Sequence, residues 1–170
     1  MSEVESTKKE YSFAAKLLHW GFVVLFAYGI FKQIDNIEQL EDFALLRFEV
    51  IFALAFVAIL LGRLFYMSKT QESSLPEDTP KPQRLAAKAV HLGMYASLAA
   101  IACSGLIIGF LFWLGMKDGL LIEMVISVHE FSVALIYWLI AVHIVAAVYH
   151  RFKNDGVWSS MVPIWKENRD

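Results

Sequence analysis

Cysteine is almost absent from this chain: Cys103 is the single thiol in 170 residues, set within an apolar run. An internal disulfide is therefore excluded, and Cys103 reads as a packing residue. Charge is scarce as well. Only 19% of residues are Asp, Glu, Lys or Arg and 58% are apolar, where soluble domains average about 25% and about 45–50%. The net charge of −2 lacks the basic excess that a nucleic-acid partner attracts, so no such partner is expected. Three of the four prolines fall in one polar stretch, MSKTQESSLPEDTPKPQR, which reads as an extramembranous linker over 67–84. Repeats and low-complexity segments are lacking. A cleavable signal is not expected either. Residues 1–10 are polar and of mixed charge, and no small-residue cleavage site follows the first apolar run.

What the chain has instead is long apolar runs. Four of them reach the length of about 20 residues that a helix needs to cross a hydrocarbon core of about 30 Å. They cover about 12–31, 43–66, 85–114 and 121–149. The expectation is one domain, 1–170: an all-α integral membrane four-helix bundle, multi-pass and embedded in lipid. An even number of spans puts both termini on one side. The segments on that side hold Lys8, Lys9, Lys16, Arg63, Lys69, Lys81, Arg84, Lys88, Arg151, Lys153, Lys166 and Arg169, and the other side holds Lys32, Arg47 and Lys117. Twelve basic residues against three place both termini in the cytoplasm by the positive-inside rule. Trp20, Trp113 and Trp158 fall near span ends, as interfacial aromatics should.

Ionisable groups inside a bilayer are costly, and they normally face the bundle interior and carry function. Four of the five histidines lie inside spans, namely His19, His91, His129 and His143, and His150 lies at the cytoplasmic end of the fourth. One such histidine could simply bond a neighbouring carbonyl; four in so short a chain argue for a shared task. His19, His91 and His143 each lie about six or seven residues from the cytoplasmic end of their span, a depth of about 10 Å. Three helices thus bring imidazoles to one level, which suits a flat cofactor held edge-on. His129 and His143 are about four turns apart on one face, so they are separated by about 21 Å, a spacing that can serve two stacked haems. With histidine at both axial positions, haem iron changes oxidation state without exchanging ligands. The C-x-x-C-H run of covalent attachment is missing, so the haem would be of b type. Zinc is the competing metal, and the thiolates and paired carboxylates it often takes are missing. Glu49 and Arg63 repeat the same interval on the second span. Either they snorkel to opposite surfaces, or Arg63 pairs with a haem propionate and Glu49 with His129.

Taken together, these residues resemble the bacterial cytochrome b-561 family, which includes di-haem quinone reductases of the superoxide oxidase type. More distantly, they are similar to the cytochrome b subunits of nickel–iron hydrogenases. The matching pieces are LLHWGF with His19, the Arg63 end of the second span, and His91 with the small-residue stretch to Gly105. The last is VHEFSVALIYWLIAVHIVAAVYH with His129, His143 and His150. The resemblance implies a bacterial inner-membrane cytochrome with haem b ligated on the cytoplasmic side by His19 and His143. It implies a second haem nearer the periplasm, held by His129 and a histidine early in the second span. It further implies a quinone site near the cytoplasmic surface around His91, His150 and Lys88. One departure stands out. Where the second span should offer its histidine, FEVIFALAF presents Glu49. A carboxylate is a poor axial partner for ferrous haem. The second haem is then missing with Glu49 and His129 paired, or present with an open or unusual ligand, or completed by a partner subunit.

The leading expectation is a carrier of single electrons between quinone and a redox partner in a respiratory chain. A second is a haem-containing anchor subunit for a partner dehydrogenase. Superoxide:quinone oxidoreductase activity is a third and needs the periplasmic haem. A proton-coupled transporter is disfavoured, since discontinuous helices and paired repeats are missing. Gly105 and Gly109, four apart in GLIIG, suit a homodimer contact or make room for porphyrin or a neighbouring helix.

Overall fold

The computed structural model describes residues 10–167; Lys8, Lys9 and Arg169 lie outside the described residues. Four long helices follow one another: α1 (Phe13–Phe31), α2 (Phe43–Thr70), α3 (Lys81–Trp113) and α4 (Leu120–Lys153). A short 3₁₀ turn (Ile37–Glu41) precedes α2, and a five-residue helix, α5 (Val157–Met161), follows α4. No strand occurs among the described residues. All four long helices are apolar and long enough to cross a membrane.

Local chemistry sets the helix ends. The Ser12 side chain accepts from Ala15 N at 3.2 Å, and Asp42 accepts from Ala44 N at 2.8 Å, each satisfying an orphan donor of a first turn. Pro82 sits in the first turn of α3, where a missing N–H costs nothing. Asn154 closes α4 at φ 58°, after His150, Arg151 and Lys153 in its last turn, where cations oppose the negative end of the helix. The linker is shorter than the polar composition of 67–84 suggests. Helix α2 continues to Thr70 and α3 begins at Lys81, because backbone hydrogen bonding continues past the point where side chains become polar.

The helices run up and down. At the end carrying the termini, Ser12 Oγ meets Tyr66 Oη at 3.0 Å, Ser12 N donates to Gln71 Oε1 at 3.1 Å, and Gln83 approaches His150 at 3.4 Å. At the other end Leu40, Leu46, Leu111 and Ile122 form a buried cluster, and Lys117 pairs with Glu41 at 3.0 Å. A second cluster of Phe22, Phe56, Leu60, Leu98, Ala102 and Ile136 joins all four helices. The outer faces are as apolar as the inside: Val24 is 69%, Trp138 71% and Val145 69% exposed. In water such a surface would aggregate; in hydrocarbon it is the solvated face.

Close backbone packing links α1 to α2, α2 to α3 and, most extensively, α3 to α4. Helices α1 and α4, which would close the ring, have no comparable contact. Both glycines of GLIIG face inward. A Cβ on Gly109 would lie 2.7 Å from Val50 Cγ2 on α2, and one on Gly105 would lie 3.6 Å from His129 Cε1 on α4. The motif therefore serves contacts within the chain. Cys103, expected as packing, is exposed, since it lies on the opposite side of α3 from its buried neighbours Ala102 and Ser104.

Candidate functional site

Three helices bring their histidines together at the level nearer the termini. Ser12 starts α1 and places His19 two turns inside. On α3 and α4, the His91 and His143 rings meet edge to face with centroids 5.2 Å apart. Both lie within electrostatic reach of His19. His19 and His143 are half-buried and His91 is exposed. Arg63, on α2, completes the group: its Nη2 lies 3.0 Å from His19 Nδ1. The guanidinium is also stacked near Phe22 at 5.8 Å and Tyr95 at 5.3 Å. Arg63 therefore turns inward and does not snorkel. Its Nε is buried with no hydrogen-bond partner among the described residues, and a buried unpaired donor of a cation is costly. Gathered imidazoles beside a cation short of an anion fit a haem with its propionates.

The opposite half of the bundle holds a cavity of about 340 Å³ lined by Glu49 from α2 and His129 from α4, with Gly105 and Phe52 among its walls. His129 Nδ1 lies 2.9 Å from Ser104 Oγ. Glu49 has Lys32 within electrostatic reach. The expected Glu49–His129 pair is not joined by a hydrogen bond among the described residues; the two side chains share the cavity. This level offers one imidazole, so it does not supply the two that a bis-histidine haem takes.

His150 is buried, with Nδ1 2.7 Å from Asp155 Oδ2 and Nε2 3.4 Å from Gln83 Nε2. Both ring nitrogens are thus engaged, and the imidazole ties α4 to the start of α3. Lys88 is exposed one turn before His91. The suggested quinone group is therefore divided: His91 belongs to the histidine cluster, and His150 to a separate polar junction.

The chain after α4 folds back over this end. Glu167, 7% exposed, accepts from Gly156 N at 3.0 Å and Ser159 N at 3.3 Å. Arg151 Nε donates to Trp165 O at 2.7 Å, its guanidinium lies 4.7 Å from the Trp165 ring, and Trp20 Nε1 donates to Met161 O at 3.2 Å. Sequence reasoning missed Ser104, Gln83, Asp155 and Glu167 as partners. Ser104 had a signal in its place one residue before Gly105; the others act across sequence gaps that no pattern marks.

A family model described as prokaryotic cytochrome b561 matches residues 10–163. No curated protein and no solved structure matches the chain.

Proposed function

The chain belongs to the prokaryotic cytochrome b561 family, so it is a bacterial membrane b-type cytochrome of electron transfer, and we propose that it carries single electrons between quinone and a redox partner through one haem b held at the three-histidine level. The family implies the haem; the observation that carries its placement is the cluster of His19, His91, His143 and Arg63. His19 and His143 are the residues that would hold its iron. They stand on α1 and α4, two helices that have no close backbone packing against each other comparable to that of the other neighbours. Haem iron, when bound, supplies the ferric–ferrous couple.

The residues define what Arg63 does. A guanidinium can only donate, so in its contact with His19 the imidazole Nδ1 accepts and Nε2 keeps the hydrogen. An imidazole binds metal through an unprotonated nitrogen. For His19 to ligate through Nε2, Arg63 must leave Nδ1 and the proton must move there. Arg63, with its Nε unpartnered among the described residues, would then be free to pair with a propionate.

The proposed orientation places both termini in the cytoplasm of a bacterial inner membrane, by the excess of basic residues at that end. A reduced-minus-oxidised visible spectrum of the purified chain, with haem measured per chain, tests the reading. One haem per chain is expected, lost on His19→Ala or His143→Ala. Absence of haem defeats the proposal; haem surviving both changes makes His91 the ligand to test next.

A further inference from the structure

On the outer side of the bundle, at the end away from the termini, α2 and α3 leave a groove of about 320 Å³ between them. Its α2 wall is Phe43, Leu46, Arg47, Val50 and Ile51, and its α3 wall is Leu106, Gly109, Phe110 and Trp113. Spacings of three and four residues put each set on one face of its helix, so the two walls run side by side along the helices. From Phe43 to Ile51 the wall is about 12 Å long, at about 1.5 Å per residue. Gly109 lets the helices meet at the floor, where a Cβ would lie 2.7 Å from Val50 Cγ2. Phe43, Ile51, Phe110 and Trp113 are exposed, so the groove opens to the hydrocarbon around the bundle.

Charge enters this groove at one end only. Arg47 is its one charged residue, it is exposed, and it stands about 6 Å into α2. From that depth a long basic side chain reaches the headgroup layer while its stem lies along apolar surface. Trp113, the last residue of α3, marks the same layer. No ion pair to Arg47 occurs among the described residues. The neighbouring carboxylates are engaged elsewhere: Asp42 accepts from Ala44 N at 2.8 Å, Glu41 pairs with Lys117 at 3.0 Å, and Glu49 lines the separate inner cavity. Below Arg47 the walls are apolar down to Ile51 and Leu106. A cation beside water with a narrow apolar channel beneath it matches an amphiphile with an anionic head and an alkyl tail. A helix of a second chain fits less well. The walls stand on packed helices, whose axes are about 8–10 Å apart, and a helix with its side chains is about 10–12 Å across. We propose that the α2–α3 groove holds one anionic phospholipid of the leaflet away from the termini. Its phosphate pairs with the Arg47 guanidinium, whose fork suits phosphate oxygens, and one acyl chain lies past Phe110 to Leu106 and Ile51. In a zwitterionic lipid the headgroup's own ammonium competes with Arg47 for that phosphate, so the anionic lipid is preferred. The site is separate from the histidine level and from the inner cavity, and it does not depend on the haem.

Photolabelling of the full chain in phosphatidylcholine nanodiscs tests it. The probe is a phosphatidylglycerol with a diazirine in one acyl chain, added as a minor component, and labelled peptides are located by mass spectrometry. Labelling should concentrate on 43–51 and 106–113, several-fold above the other lipid-facing stretches of that leaflet. Excess unlabelled phosphatidylglycerol should suppress it, and added phosphatidylcholine should not. The matching phosphatidylcholine probe should label the groove about fivefold less, the scale of one basic residue beside an anionic lipid. Arg47→Gln should abolish that difference and leave labelling at the opposite, basic end as it was. Ile51→Trp, which fills the groove, should lower its labelling by both probes. Even labelling over all outer faces, which means surrounding lipid only, overturns the proposal. Equal labelling by the two probes, or preferential labelling that survives Arg47→Gln, does the same. Exclusion of both probes in nanodiscs holding two chains, with labelling restored in those holding one, would assign the groove to a second copy instead. If Ile51→Trp does not fold, Arg47→Gln, at an exposed position, carries the test.

Discussion

His19 and His129 are held in opposite tautomers by their neighbours. Arg63 donates to Nδ1 of His19, whereas Ser104 accepts from Nδ1 of His129. Which nitrogen carries the hydrogen decides whether an imidazole can accept or ligate through the other. The sequence shows four histidines in spans, but the atoms that set their tautomers sit on different helices. Arg63→Leu keeps the bulk of the side chain and removes its charge. A nearby cation favours the less positive ferrous iron, so this change should lower the haem midpoint potential in a redox titration. An unchanged potential would remove Arg63 from the haem's surroundings. Glu49 was legible as a departure from the family pattern, and the structure adds that it shares a cavity with His129 without bonding to it.

Among the elements, α3 is the one against which α2 and α4 pack, and its glycines permit this. A methyl on Gly109 would press on Val50 at 2.7 Å. Gly109→Ala should cost about 1–3 kcal/mol by overpacking, read as earlier unfolding of the chain in detergent. Val50→Ala in the same chain should recover much of the loss; if it adds to the loss, the clash lies elsewhere. The tail is held by a different force. Glu167 caps the short α5 through two backbone donors, and Glu167→Ala should cost about 0.5–2 kcal/mol. The effect should be local, with faster hydrogen exchange over 156–161 and an unaltered haem spectrum. Spans were readable because apolar length is itself the requirement for crossing. Their ends were less so: hydropathy reports where hydrocarbon stops, and the helices of residues 67–70 and 81–84 continue beyond it. Helix α5 has no such signature, because its cap comes from a residue ten positions past its own start.

For the molecule as a whole, the separation of apolar from charged residues suits a lipid-embedded bundle, and its basic end is the one proposed to face the cytoplasm. Reporter domains fused to each terminus should both be active on the cytoplasmic side, and activity of either on the other side would reverse the assignment. The sequence by itself determined the four spans, the fold class and the level shared by His19, His91 and His143. Each depends on position along a helix, and a helix rises by a constant amount per residue. It also carried the family. Only the tertiary structure decided that Arg63 turns inward to His19, that His150 is spent on Asp155 and Gln83, and that Gly109 packs against α2. It alone showed the cavity shared by Glu49 and His129. Those outcomes depend on rotation about helix axes and on which helices touch, and apolar spans that are oily on every face carry little periodic signal to fix either. The four helices are a matter of length; the histidine cluster with Arg63 and the cavity in the other half of the bundle are a matter of packing.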